Sequence, residues 1–495
     1  MGESEKVRAA LDHPVIDVDG HVIEFMPAIL PFVREALGPV AFDRYLDQPS
    51  PIARILEADA ETRLATGTPQ SAWWGTPASN IEDLATAVIP RYMYERLDEL
   101  GIDFSVLYPT KGFGIAGIED PELRQGVCRG FNDYYAATYA QYADRMAPAG
   151  IIPMHTPEEA VAEIEHCKAI GLKVVGFPEG VTRPIPDPDP GNLSPFMYPG
   201  QAWWFDHFGI DSAYDYDPVW AKAEELGFAI TCHGGLGNMP TGSFVSRTNY
   251  SYNHIGSFAQ RMHHMCKSLF MGGITARFPR LNIAFLECGV GWAGILLADM
   301  LEHWEKRNPE ALRSLDPAAI DWARLEQLIR THGADDLLAR AGDLDLDAAM
   351  RALPGTGVPP EERDDWRFVD VTSERELVDR FVPRFFFGCE ADDRSIAYAF
   401  SPANPFGARL QPVFSSDLAH WDVEEMDEVV AEAHGLVRKG VLEEQDFREF
   451  VFENPARLLL GQNPDIFVGT AVEEATRPLA DAARATQTEQ AGVAG

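Results

Sequence analysis

The sequence has no run approaching the roughly 18 consecutive apolar residues that a membrane-spanning helix requires. Its six cysteines are scattered among 495 residues, and no two stand at the CxxC spacing of a zinc knuckle or a redox pair. Basic residues are also few, since 41 Lys and Arg stand against 77 Asp and Glu, which gives a formal charge of -36. Such a charge repels phosphate backbones and anionic lipid surfaces. We therefore expect neither nucleic acid nor a membrane as a partner.

The amino terminus begins with polar residues and lacks the basic stretch followed by an apolar run that marks a secretory signal. A cytoplasmic location is therefore expected. With 46% hydrophobic residues, the chain has enough apolar material for a large buried core. Length alone does not distinguish a single barrel with insertions from two separate domains.

Short apolar segments rich in β-branched residues recur along the chain, and most are followed by an amphipathic helical pattern. This alternation is typical of parallel βα units. Eight such segments with intervening helices fit a closed barrel better than a doubly wound sheet, so we predict the α/β class and a (β/α)8 TIM barrel. The predicted strands are residues 15–19, 104–108, 149–153, 172–177, 228–233, 282–287, 385–389 and 412–416.

The barrel is predicted to be one domain over residues 12–461 with two insertions. Residues 180–215 are rich in proline and aromatic residues and are interpreted as an inserted loop. Residues 303–380 are charged and helical in pattern, which predicts an inserted helical subdomain. Residues 463–495 drift to Ala, Thr, Glu and Gln and are predicted to form a flexible tail.

The first predicted strand ends in alternating polar residues, Asp17-Val18-Asp19-Gly20-His21. Alternate residues of a strand project to the same face, which in a barrel is the interior. Burying two carboxylates and an imidazole together is costly unless a cation neutralises them. This motif alone is equally compatible with a strand end whose Asp and His merely cap neighbouring loops.

Two other strand ends carry side chains of the same kind. His233 ends the fifth predicted strand, and Asp417 follows the eighth. A lone histidine at a strand end is more often structural, but ligands on three separate strand ends are expected to converge on the barrel axis. Together these positions predict a metal site at the wide end of the barrel.

These motifs resemble a known family. The Asp19-Gly-His21 pair, His233-Gly-Gly, the segment from Leu281 through Glu287 to Trp292, and Ser415-Ser-Asp417-Leu-Ala-His420-Trp421 are similar to the amidohydrolase-related family, which includes the aminocarboxymuconate semialdehyde decarboxylase-like enzymes. The resemblance covers about residues 12–302 and 383–461. It implies a TIM barrel with one divalent metal ion held by Asp19, His21, His233 and Asp417.

Two departures from the family pattern bear on the chemistry. The family's first-strand pair is often His-x-His, whereas Asp19 takes the first place here and adds hard oxygen character, so Zn, Mn and Fe stay open and a second metal is not excluded. Decarboxylase members carry an acid/base histidine after the sixth strand, where this chain has Glu287. Glu287 is interpreted as a general acid or base, a bridge to a second metal, or a residue that holds another side chain in place.

The residues therefore favour a metal-dependent hydrolase in which Asp417 accepts a proton from metal-activated water, acting on an amide, ester, lactone or thioester bond of a small, organic acid-type substrate. A metal-dependent non-oxidative decarboxylase of an aromatic or enoic acid is the first alternative, and a catalytically inactive barrel that serves as a binding module is the second. His254, on the helical stretch after the fifth strand, is a candidate catalytic residue that contacts substrate. The resemblance also makes a homodimer an expected assembly.

Overall fold

The computed structural model describes residues 2–48, 58–70, 80–185, 203–235, 245–333 and 363–493. Its central feature is an eight-stranded parallel sheet whose strands neighbour one another in chain order. Each predicted strand is present, with bounds Ile16–Val22, Phe104–Pro109, Met146–Ile151, Val174–Pro178, Ile230–His233, Ile283–Phe285, Phe385–Cys389 and Gln411–Phe414. We refer to these as the first to the eighth barrel strands.

Backbone hydrogen bonds join the segment after the eighth strand to the first strand and so complete the ring. The His21 amide donates to the Leu418 carbonyl at 3.1 Å, and the Asp417 amide donates to the Asp19 carbonyl at 3.0 Å. The predicted (β/α)8 barrel is therefore confirmed. The two joining bonds also bring the first and last strand ends together, which is where the candidate ligands lie.

Helices cover the outside of the barrel. Their starts follow the sequence signals: the Thr156 hydroxyl accepts a hydrogen bond from the Glu159 amide, and proline occupies the first turn of several helices, where its missing N–H costs no hydrogen bond. The α-helices are Glu3–Ala10, Met26–Leu46, Ala60–Thr66, Ile81–Val88, Pro90–Leu100, Pro121–Tyr139, Pro157–Ala169, Asp217–Leu226, Tyr250–His254, Ser257–Met271, Ile274–Arg277, Gly291–Arg307, Trp322–His332, Glu374–Phe381, Ile396–Ala399, Val429–Arg438, Glu444–Arg448, Asn454–Leu460 and Glu473–Val493.

The described parts of the predicted insertions carry regular structure. Within 180–215, Val181–Pro184 pairs with Trp203–Asp206 as an antiparallel hairpin, and Arg183 bonds to Asp206 across it at 3.0 Å. Within 303–380, residues Trp322–His332 form a helix. Residues 334–362 of this predicted subdomain and residues 186–202 of the predicted loop lie outside the described residues.

The carboxyl-terminal segment differs from the flexible tail that its composition predicts. Residues Glu473–Val493 form a helix, and Val472, Thr476 and Ala480 are buried at its start. The apolar side chains spaced along one helix face explain the order, because they pack against the barrel. Across the whole described chain, no helix combines the length and the apolar character needed to cross a bilayer.

Candidate metal centre

Four side chains from distant parts of the sequence meet at the carboxyl-terminal end of the barrel. Asp19 and His21 lie in the first strand, His233 is the last residue of the fifth strand, and Asp417 follows the end of the eighth. None of the four is more than 1% exposed. The predicted convergence of these residues is thus what the fold produces, because parallel barrel strands deliver their carboxyl ends to one rim.

The separations of their polar atoms suit a common cation. His21 Nε2 lies 3.2 Å from His233 Nε2 and 3.2 Å from Asp417 Oδ1. Asp19 Oδ1 lies 3.4 Å from His233 Nε2 and 3.6 Å from His21 Nε2. Ligand atoms that each lie about 2.1 Å from a tetrahedral metal are about 3.4 Å from one another. The four side chains therefore fit a single divalent ion.

The hydrogen bonding of the cluster points the same way. Neither carboxylate oxygen of Asp19 has a hydrogen-bond partner among the described residues, and the same holds for Glu287 Oε2. Buried carboxylate oxygens without donors are costly, and a bound cation removes that cost. Zn, Mn and Fe ions all bind such a set of ligands, which consists of two imidazoles and carboxylates.

The lowered pKa of His21 also favours metal binding. Burial, together with the neighbouring rings of His420 and His233, holds the pKa of His21 well below its usual range. Its imidazole is therefore neutral at physiological pH, which is the state that ligates a metal. Burial and the nearby carboxyl groups of Glu287 and Asp422 raise the pKa of Asp417 well above the usual range for aspartate.

Glu287 lies two residues beyond the sixth strand and faces the ligands. Its Oε2 is 3.3 Å from His233 Nε2, and the residue is 4% exposed. Burial is the largest cause that raises the pKa of Glu287 well above its usual range, followed by the charge of Asp19. Glu287 and Asp417 both have left-handed backbone, with φ of 52° and 51°. This conformation is disfavoured for residues with a side chain and is concentrated at functional sites.

His420 lies against the opposite side of the cluster. Its Nδ1 is 2.6 Å from Asp417 Oδ1, and its ring stacks on that of His21 with 3.8 Å between centroids. This contact places His420 where it can orient the Asp417 carboxyl group. His21, Glu287, Asp417 and His420 also offer ligand atoms within 4.8 Å of one another.

His254 does not join the ligand cluster. It lies in a group of aromatic rings, 5.4 Å from Trp421, 5.6 Å from Tyr250 and 5.8 Å from Phe258 between ring centroids. Its Nε2 has no hydrogen-bond partner among the described residues. His254 is thus close to the mouth of the barrel but held by rings rather than by the candidate ligands.

Sequence reasoning missed three charged residues at the same rim. Glu179 directly follows the fourth strand, is fully buried, and accepts a hydrogen bond from Arg261 at 3.2 Å. Arg261 in turn lowers the pKa of Glu287 against the stronger effect of burial. Glu390 follows the seventh strand, and burial and nearby carboxylates raise its pKa to about 8. The position of both glutamates directly after a barrel strand is a signal that could have identified them.

A cavity of about 710 Å³ is lined by residues that follow the seventh and eighth strands. Asp417 and Ser416 are among its lining residues, together with Glu390, Asp422 and Glu432. One candidate ligand, Asp417, therefore lines a cavity whose wall carries several carboxyl groups.

A family model described as Amidohydrolase matches residues 110–338, which include His233 and Glu287. This match over part of the chain agrees with the family resemblance predicted from the strand-end motifs. The buried His, Asp and Glu cluster could hold a divalent metal ion.

Solved structures similar to this chain include an amidohydrolase from Mycobacterium avium subsp. paratuberculosis, with 17% identity, a TM-score of 0.49, and coverage of 91% of this chain and 100% of that one. A 5-carboxyvanillate decarboxylase from Sphingomonas paucimobilis has 16% identity, a TM-score of 0.45, and coverage of 90% and 98%. A 2,6-dihydroxybenzoate decarboxylase from Rhizobium has 16% identity, a TM-score of 0.44, and coverage of 90% and 98%. Likeness at this level says nothing about the reaction of this chain.

Proposed function

We propose that this protein is a metal-dependent, non-oxidative decarboxylase of a small organic acid, with the ion held by Asp19, His21, His233 and Asp417. The observation that carries the proposal is Glu287, a buried carboxyl group next to a candidate ligand and with a raised pKa. Decarboxylation needs a positioned proton donor and a cationic group for the carboxylate. Hydrolysis needs a carboxylate base.

Glu287 meets the first requirement. Burial is the largest cause of its raised pKa, and that cause persists when a cation offsets the charge of Asp19. The raised pKa favours the protonated form of the carboxyl group, which can donate a proton. In the proposed step, the bond between the carbon and the carboxyl group breaks, CO2 leaves, and the electron pair left on carbon takes the Glu287 proton. Water then reprotonates the Glu287 carboxylate.

Arg261 and a metal ion would together meet the second requirement. Arg261 is the cation whose charge acts on Glu287, and its guanidinium is held by Glu179 at 3.2 Å. A divalent ion held by Asp19, His21, His233 and Asp417 would supply positive charge for oxygen atoms of the substrate.

A second candidate function, hydrolysis of an amide, ester, lactone or thioester, is favoured by one specific contact. Asp417 Oδ1 lies 2.6 Å from His420 Nδ1, an arrangement that can accept a proton from an attacking water. In that reaction the carbon atom takes oxygen from water rather than a proton from Glu287.

Product analysis distinguishes the two reactions. Metal-loaded protein is incubated in D2O with a panel of phenolic and enoic acids, and CO2 release is measured together with deuterium at the carbon that lost it. We expect both signals, and we expect Glu287→Gln to lower the rate by about a hundredfold to ten-thousandfold while the metal content stays unchanged.

A different set of products would contradict the decarboxylase proposal. Release of acid from amides, esters, lactones or thioesters in H2¹⁸O, with ¹⁸O in the product and no CO2 from any acid of the panel, would replace the decarboxylase proposal by the hydrolase. A Glu163→Gln variant is the matched control for folding, because Glu163 is also buried but lies on the outer helix Pro157–Ala169.

A further inference from the structure

Glu24 lies just beyond the first strand and accepts more hydrogen bonds than a helix cap requires. It is not one of the candidate metal ligands. Its side chain is 3% exposed. Oε2 accepts hydrogen bonds from the amides of Lys111 at 2.7 Å and Thr110 at 3.2 Å. Oε1 accepts from the Gly112 amide at 3.2 Å and from the Tyr135 hydroxyl at 2.6 Å. Three successive backbone amides thus surround one buried carboxylate.

These four donors need an anion, or at least a hydrogen-bond acceptor at the position of each of the two carboxylate oxygens. Consecutive N–H groups that point to one place form a concave site with positive potential. The backbone is packed closely at this point, because a Cβ on Gly112 would lie 2.5 Å from the Pro109 Cβ. The segment 110–114 therefore takes its shape around the Glu24 carboxylate.

The far side of this segment contacts the candidate metal centre in three places. Thr110 Oγ1 lies 3.3 Å from His420 Nε2. The Phe113 ring lies 5.0 Å from the ring of His233 and 5.7 Å from that of His21, between centroids. The Gly114 amide donates to the Gly235 carbonyl, two residues after His233, at 2.7 Å.

These contacts connect Glu24 to the ligands through one short segment. The two nitrogens of His420 face Thr110 on one side and Asp417 on the other, so the hydroxyl of Thr110 fixes the imidazole that contacts Asp417. Phe113 lies against both ligand histidines and limits how their rings can turn. Groups that orient metal ligands in this way affect metal affinity although they touch no metal.

We propose that Glu24 is a positioning residue of the metal centre: its carboxylate shapes the 110–114 segment, which holds His420 against Asp417 and keeps His233 and His21 in their ligand geometry. The inference rests on the metal centre of the proposed function but not on the reaction. It assigns to Glu24 an effect on the ion that a purely structural carboxylate would not have.

The test compares Glu24→Gln with Glu163→Gln in the full-length chain loaded with Co²⁺. Glu163 is a matched control because it is also 3% exposed and accepts hydrogen bonds from Asn132 at 2.8 Å and Arg129 at 2.9 Å, away from the metal centre. The readouts are the visible absorption spectrum of bound Co²⁺, the Kd for Co²⁺, and the melting temperature.

We expect Glu24→Gln to change the Co²⁺ spectrum and to weaken Co²⁺ binding about tenfold to a hundredfold. Glu163→Gln should lower the melting temperature at an unchanged spectrum and Kd. If Glu24→Gln does not fold, Thr110→Val and Thr110→Ser replace it: the valine should alter the Co²⁺ spectrum, and the serine, which keeps the hydroxyl, should restore it.

An unaltered spectrum and Kd in Glu24→Gln, or in Thr110→Val where the glutamine variant is unfolded, would overturn this inference while the metal centre stands. A wild-type chain that takes up no Co²⁺ would contradict the metal centre itself, and the inference with it.

Discussion

Two carboxylates of the first strand, Asp17 and Asp19, have opposite surroundings although both are fully buried. Asp17 accepts hydrogen bonds from Ser105 Oγ at 2.7 Å, Ser416 Oγ at 2.8 Å, the Ser416 amide at 3.0 Å and the Asp19 amide at 3.1 Å. Asp19 accepts none from the described residues. The difference shows that burial does not mark a metal ligand. What marks it is a buried carboxylate to which the protein supplies no donors.

The largest expected effect separates these two carboxylates directly. Asp19→Asn removes a negatively charged ligand and should weaken metal binding more than a hundredfold, whereas Asp17→Asn should weaken it about tenfold at most. Metal content of the purified variants and titration with Co²⁺ measure both. Equal losses in the two variants would mean that Asp17 and Asp19 play the same part, which contradicts the comparison.

Removal of the metal should affect the stability of the mouth of the barrel. At free metal about 100 times Kd, the bound ion contributes about 2.7 kcal/mol to the free energy of unfolding. Chelation should therefore lower the melting temperature of the wild-type chain and leave that of Asp19→Asn unchanged, as followed by circular dichroism. A chelator effect that survives in Asp19→Asn would place the stabilising ion elsewhere.

Asp17 should give the metal-free protein a specific pH dependence. Burial, only partly offset by its hydrogen bonds, raises the pKa of Asp17 from 3.8 to about 6 in the folded chain. The folded state then holds its proton more tightly than the unfolded state. The stabilisation is complete below pH 3.8 and is lost as the pH rises to about 6, by about 3 kcal/mol. The free-energy difference between wild type and Asp17→Asn, measured by denaturant unfolding across this range, checks both the sign and the window.

The smallest effect concerns a single donor to Asp17. Ser105→Ala removes the hydroxyl that lies 2.7 Å from Asp17 Oδ2, and it should lower the free energy of unfolding by about 1 kcal/mol with no change in metal affinity. Urea unfolding and a Co²⁺ titration test this pair of statements. A loss of metal affinity comparable to that of Asp19→Asn would show that the hydrogen bonds of Asp17 and the metal site at Asp19 are not independent.

The sequence predicts the eight strands because each is a short apolar segment with clear breaks, and parallel strands then bring their ends to one rim. That rule brings Asp17, Asp19, His21, His233 and Asp417 to the rim, and the family resemblance implies which four of them hold the metal. The surroundings of these ligands do not follow from the sequence, since they depend on loops that meet only in three dimensions. Arg261, in the middle of a helix, has no local pattern that marks it. Likewise, Thr110 and Phe113 look like ordinary loop residues until their contacts with His420 and His233 are seen.

The left-handed backbone at Glu287 and Asp417 could not be predicted from the sequence either, because most Glu and Asp residues have a negative φ. The helix Glu473–Val493 was likewise not expected from the sequence. Its composition is typical of a tail, yet a few apolar residues at helical spacing are enough to anchor it.

A crystal structure of the chain grown with Mn²⁺, in which the anomalous signal locates the ion, tests most directly whether these four residues form one metal site. We expect one strong peak within bonding distance of Asp19, His21, His233 and Asp417 together. A peak bound by other residues, or fully loaded crystals in which these four side chains point away from the ion, would contradict it.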